Sequence, residues 1–410
     1  NIMTLLKFGM RRKLWIIFML SSFSSVLVQI SSTETDIIIA GLVCSSLYLF
    51  WYAVKNNKKV PIFFSALAYA LAVGTKTPAI LAIPSVGLAM TGLSVYYLKK
   101  DFYKPLLRFL FYSLFNFILF SSYNYILNFI DYRNFAGSDS MMQAHVNPYG
   151  ARAIPANFIK YMFMFFDFTG FHWADYWGEK LMHVREAVLA FLGYADIKDG
   201  IYNIGNKINK SLLEPLMGLG ILGIIVYLPC WIWALIKPIF SRKKRTWFIF
   251  AFALMLVINI IAMSYQLQFM VYSIRFLMFF CVLSAPVMYY SYNKKNSVYK
   301  FIVVLFALFY MMLVSTHLWA RPFFRIVNYF RHGYTVSQVR ETASCGVFLK
   351  DFDLIPKGDE RRQYYNEPCT IRSYVKANIK KENRVLYFAN TSTDLILLKM
   401  LDLEGYHIDF

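Results

Sequence analysis

Charge is what this chain has least of. Only 16% of its 410 residues are Asp, Glu, Lys or Arg, where a soluble domain carries roughly a quarter. The deficit falls on the acids, with 23 Asp and Glu against 43 Lys and Arg, giving a net charge of +20. Cysteine is scarce as well: there are five, and no C-x-x-C or Cys/His spacing signals a metal site. Cys44, Cys230 and Cys281 fall in apolar runs, where a cysteine acts as a small hydrophobe. Cys345 and Cys369 lie in a polar tail and would pair only in an oxidising compartment. A P-loop, GxGxxG, HExxH and GxSxG are all missing, so neither nucleotide-driven nor soluble hydrolase chemistry is signalled.

What fills the chain instead is apolar and aromatic. Hydrophobic residues make up 58% and aromatics 19%. Runs such as Trp15–Ile30, Ile37–Val54, Leu106–Ile130 and Phe301–Leu313 approach or exceed the roughly 20 residues needed to cross a bilayer. Nine spans are predicted, near 14–31, 37–54, 60–75, 78–97, 106–130, 216–236, 246–264, 270–291 and 300–319. The break between the third and fourth is placed at Gly74-Thr75-Lys76-Thr77-Pro78, since Pro78 disfavours helix at Thr77 and Gly74 favours an end. Tyr and Trp near segment ends, as at Trp51-Tyr52, Tyr96-Tyr97 and Tyr289-Tyr290, suit the membrane interface. Basic residues precede the first run, but apolar segments continue along the chain, so that run is not a cleavable signal. The chain opens at Asn1 and stops in the strand-like Tyr406–Phe410, and it reads as a piece of a longer protein.

The cations alternate from turn to turn. Clusters at Lys7/Arg11/Arg12/Lys13, Lys55/Lys58/Lys59, Lys99/Lys100/Lys104/Arg108, Lys237/Arg242/Lys243/Lys244/Arg245 and Lys294/Lys295/Lys300 lie on one side, with Asp101 as their one acid. The opposite turns carry only Lys76 and Arg275. This bias sets the start of the chain inside, and loop 131–215 and tail 320–410 outside. Clustered between apolar runs, these cations point to the membrane surface and not to nucleic acid.

On the outer side the isolated polar groups collect. Glu34 and Asp36 open the second span, where a carboxylate meets the positive end of a helix. An N-cap accounts for one acid; two acids within three residues of so apolar a chain also suit a working site, because charge at membrane depth is costly. Lys76 and Arg275 either snorkel to the surface or bracket an anion there. The anion that suits them is the phosphate of a lipid carrier, which guanidinium binds in bidentate fashion and lysine as a point charge. In the outer loop, Ile154–Phe168 and the following Phe171–Trp177 read as a helix lying in the interface. Arg152, His172 and Asp175 are its acceptor-side candidates beside that anchoring role.

The predicted fold is therefore an all-α polytopic membrane bundle with a small α/β soluble domain at its end. Its parts are a first bundle (1–130), an outer loop (131–215), a second bundle (216–320) and the tail (321–410). In that tail Arg384–Asn390 reads as a buried strand, Thr391–Leu401 as a helix and the residues after Gly405 as a second strand. Asn209-Lys210-Ser211 and Asn390-Thr391-Ser392 are glycosylation sequons on the outer side.

Ser32-Thr33-Glu34-Thr35-Asp36 ahead of a span, then Leu71-Ala72-Val73-Gly74-Thr75-Lys76-Thr77-Pro78-Ala79, resembles the multi-pass glycosyltransferases of the GT-C fold. The nearest branch is the protein mannosyltransferase-like and lipid A aminoarabinose transferase-like one. Ser273-Ile274-Arg275-Phe276-Leu277 with Pro286 resembles an Arg-aromatic-Leu…Pro segment of a late span in that family. The likeness covers about residues 30–100 and 265–290. It implies transfer of a sugar from a polyprenyl-phosphate donor to a protein, lipid or glycan acceptor on the outer face of a bacterial plasma membrane. Asp36, with Glu34, would supply acidic groups, and Lys76 and Arg275 would lie near the carrier phosphate. No cofactor is required by this chemistry, and nothing indicates a divalent metal, although the reading leaves room for one. The family's first acidic motif, which supplies its catalytic carboxylate, has no counterpart here; its place is upstream of residue 1. A polysaccharide polymerase or O-antigen ligase, relying on loop Arg and His residues, is the main rival. A transporter or flippase, expected to show repeats and broken helices with mid-membrane polar groups, ranks behind it.

Overall fold

In a computed structural model, residues 2–30, 35–171, 173–200, 218–292, 296–317, 384–386 and 407–409 are described. Glu34, His172, Cys345, Cys369, both sequons and the tail helix expected at Thr391–Leu401 lie outside them. The chain divides into two units, Asn1–Arg321 and Pro322–Phe410.

The first unit is helical, and its helices follow the apolar runs. A short α1 (Ile2–Leu5) leads to α2 (Met10–Ser22) and α3 (Ser24–Ile30). Next come α4 (Asp36–Lys55), α5 (Val60–Thr75), a 3-10 segment (Thr77–Ala82), α6 (Ile83–Leu98), α7 (Tyr103–Phe120) and α8 (Tyr123–Tyr132). The loop carries α9 (Asp139–His145), α10 (Ala153–Phe163) and α11 (Ala174–Phe191). A π turn (Gly223–Tyr227) runs into α12 (Leu228–Phe240), followed by α13 (Lys244–Gln266), α14 (Ile274–Leu283) and α15 (Ser297–His317). Five helices in this unit are long and apolar enough to cross a membrane, and up to eight if each bent pair counts as one span. The shorter apolar α5 supplies a ninth segment. Each predicted span thus has a helical counterpart, and the chain is a multi-pass membrane protein. The outward faces agree: Leu107, Leu110, Phe111, Leu114 and Ile118 on α7 are all exposed, as lipid contact allows.

Three spans expected to be single helices are bent: α2 against α3 by 79°, α7 against α8 by 65°, and α14 against Ala285–Ser291 by 69°. Serine sits at every break. The hydroxyls of Ser22, Ser122 and Ser284 bond the carbonyls of Phe18, Ile118 and Phe280, four residues back. Such back-bonding competes with the helical ladder and bends it; Pro286 adds a missing donor at the third break. The break at Lys76 is where the sequence placed it, with Lys76 extended at φ −164° and ψ 134°. Gly74 does not end α5, however. Its missing side chain lets Ser121 approach, since a Cβ there would fall 2.5 Å from the serine side chain, and Ser121 donates to Ala70 O at 2.8 Å.

The loop helix expected over Ile154–Phe168 ends at Phe163. Its eleven residues span about 16 Å, too short to cross. It packs on α13 and α11, burying Asn157, Lys160 and Tyr161, so it is part of the bundle's wall and does not simply rest in the interface. Trp173, Tyr176 and Trp177 at the start of α11 do remain exposed.

In the second unit, β1 (Arg384–Leu386) and β2 (His407–Asp409) pair in parallel, with Arg384 opposite His407.

Candidate functional site

Two of the predicted site residues, Asp36 and Lys76, meet where α4 begins and α5 ends. Asp36 occupies the first turn of α4 and is buried, at 1% exposure. Lys76 terminates α5, and its extended backbone turns the side chain away from the helix ladder. Its Nζ donates to both Asp36 oxygens at 3.0 Å. The helix N-terminus favours the carboxylate, and the lysine neutralises it. No side-chain cap bond is made at this helix end, so Asp36 is not the simple N-cap; its oxygens are engaged with a residue forty positions away.

Lys76 also lies 5.9 Å from the centre of the Phe276 ring. Phe276 follows Arg275 in the first turn of α14, a helix packed against α4. The structure thus brings Asp36 and Lys76 into contact and sets the half-buried Arg275 one residue from the ring beneath them.

The loop candidates do not behave alike. Arg152 pairs with Asp196 at 2.9 Å, and both side chains are more than half exposed. Such a pair contributes little. Asp175 is in the first turn of α11.

Two clusters were not legible in the sequence. In the first, Lys160 of α10 and Arg185 of α11 both grip Asp199, at 2.6 and 3.0 Å. Lys160 also donates to Ile197 O at 2.7 Å, and Arg185 to Glu186. The Phe269 ring faces both cations, at 5.7 and 5.3 Å. In the second, the buried Asp167 accepts from the backbone N–H of Thr169 and of Gly220, at 2.9 and 2.8 Å. Tyr310 joins them, accepting from Ile221 N at 2.8 Å and donating to Thr169 O. Gly220, at φ +64°, stands so close to the Tyr310 ring that a Cβ would overlap it. Burial pushes the Asp167 carboxyl above the usual range, against the bonds from Thr169 and Gly220 that lower it. The available signal was one lone charge inside each apolar stretch, Lys160 in Phe158–Phe166 and Asp167 in Met162–Phe168.

No group of three or more metal-ligating side chains occurs among the described residues. Comparison of the chain with protein-family models, curated proteins and solved structures gives no match.

Proposed function

We propose that the chain is a membrane glycosyltransferase that moves a sugar from a polyprenyl-phosphate carrier to an acceptor on the non-cytoplasmic face. The observation that carries this reading is the Asp36–Lys76 pair, a buried carboxylate holding a partly exposed ammonium at one end of the bundle. The basic turns gather at the other end, where Arg245 donates to Lys7 O and to the Tyr289 hydroxyl. By the charge bias the Asp36 end is the non-cytoplasmic one, where the carrier's phosphate would meet Lys76 and Arg275.

In the reaction, the acceptor hydroxyl loses its proton to a carboxylate and its oxygen bonds the anomeric carbon. The bond from that carbon to the phosphate oxygen breaks, and its electron pair leaves with the carrier phosphate. Lys76 and Arg275 offset the charge that develops there. Asp36 serves this step by aiming Lys76. Glu34, two residues earlier, is the candidate for the proton. The chemistry requires no cofactor. We further propose that residues 321–410 form a small α/β domain on the same face. The parallel β1–β2 pair supports it, since parallel neighbours need a crossover.

The test follows radiolabelled sugar from polyprenyl-phosphate donors in membranes holding the full-length gene product, wild type beside Asp36→Asn and Arg275→Ala. Donor-dependent labelling that both variants abolish supports the reading. Absence of turnover with every polyprenyl-phosphate sugar, in folded protein, defeats it. The bent spans are a feature shared with a transporter; carrier-dependent flux without covalent transfer in the same membranes would favour that class.

A further inference from the structure

The last turn of α12, the link after it and the start of α13 together hold Lys237, Arg242, Lys243, Lys244 and Arg245. Three of them fall at the start of α13, with Lys243 at the cap and no acid in the first turn. This is the wrong sign for a helix N-terminus, which favours anions. Ser241 and Lys243 are extended, and in extended backbone successive side chains leave on opposite sides. The consequence is two basic mouths. Arg242 and Lys244 border one cavity, while Lys243 and Arg245 border another with Tyr289 and Tyr290.

The first cavity is a groove of about 540 Å³ between α4, α6 and α13. Below its two cations it is walled by Leu88, Gly92, Phe248 and Met255, and it reaches Ile258. From Lys244 to Ile258 is about 21 Å along the helix, on the order of the depth of one leaflet's hydrocarbon. Tyr96 and Trp247 stand exposed at its mouth, and Lys244 lies 5.9 Å from the Tyr96 ring. No acidic residue lines it, and among the described residues Arg242 has no ion-pair partner.

We propose that this groove binds an anionic phospholipid, its phosphate between Arg242 and Lys244 at the α13 N-terminus and one acyl chain along α13. Charge complementarity selects that occupant. Among the described residues, two cations and an open helix N-terminus lack a counter-anion, and the apolar wall below them fits a chain. The groove meets α4 at Leu47 and Trp51, about 17 and 23 Å along the helix from Asp36, and is independent of the transferase reading.

The test is native mass spectrometry of the full chain released from nanodiscs of phosphatidylglycerol or of phosphatidylcholine. One retained phosphatidylglycerol is expected, with phosphatidylcholine retained far less. Arg242→Ala/Lys244→Ala should weaken retention about a hundredfold, each charge-assisted hydrogen bond to the phosphate giving about tenfold. Lys243→Ala/Arg245→Ala removes equal charge from the same turn but no contact to the phosphate, and its effect should be at least about tenfold smaller. Gly92→Phe, whose ring enters open space in the groove, should expel the lipid with both cations intact; Ala89→Leu serves if that variant does not fold. Equal losses in the two alanine pairs would mean general surface charge and would overturn the site, as would equal retention of the two lipids.

Discussion

Asp36 and Asp199 are both carboxylates gripped by lysine, and they differ in what surrounds the grip. At Asp199 two cations converge, Lys160 has a carbonyl as well, and a phenyl ring covers them; the Lys160 side chain is 2% exposed. At Asp36 one lysine makes both bonds and keeps 26% of its side chain exposed. The first arrangement ties three segments together: α10, α11 and the stretch before Gly200. The second leaves its cation partly open to solvent. Burial of the cation, more than the ion pair itself, separates the two.

Variants can break that comparison. The largest effect is expected at the clasp, where Lys160→Met takes one of two cations from Asp199 and the donor from the Ile197 carbonyl and should cost about 2–3 kcal/mol, read as a fall in thermal stability of the purified protein. Lys160→Arg should recover part of it. At the other pair the effect should move from stability to turnover. Asp36→Asn is expected to lower sugar transfer about 100-fold while changing the melting temperature little, and a large melting shift with unchanged transfer would reverse the roles assigned here.

Asp167 tests a third kind of buried acid, one held by backbone. Asp167→Asn conserves shape but turns an NH2 toward one of the two N–H donors, and should cost about 1–3 kcal/mol. The pH response has a definite sign. Burial raises this carboxyl in the folded protein, so its stabilising share is complete below the ordinary carboxylate pKa. It is lost as pH climbs to the raised value. Melting followed against pH should show that decline in the wild type and not in Asp167→Asn. The smallest effect belongs to the exposed Arg152–Asp196 pair: Arg152→Ala should shift stability by less than about 1 kcal/mol.

Much of this was readable beforehand because membrane helices obey one dominant rule. An apolar stretch must satisfy its own backbone in lipid, so each run from Trp15 to Leu313 became helix. The extended backbone at Lys76 likewise followed from a local rule, the bias a proline places on its predecessor. The three bends escaped, since a serine bonds back to its own helix or outward according to what packs beside it. Lys160 and Asp167 escaped because a lone charge in an apolar loop looks like an interfacial anchor until its partners are known.

The sequence by itself thus determined that the chain crosses a membrane repeatedly, where its spans lie and on which side the cations mass, since these depend on local hydropathy and charge. Only the tertiary structure decided that Asp36 pairs with Lys76, that Asp199 is shared by two cations and that the α12–α13 turn opens two mouths. Each joins side chains distant in the chain or splays neighbours apart, and their energies exist only once the helices have packed.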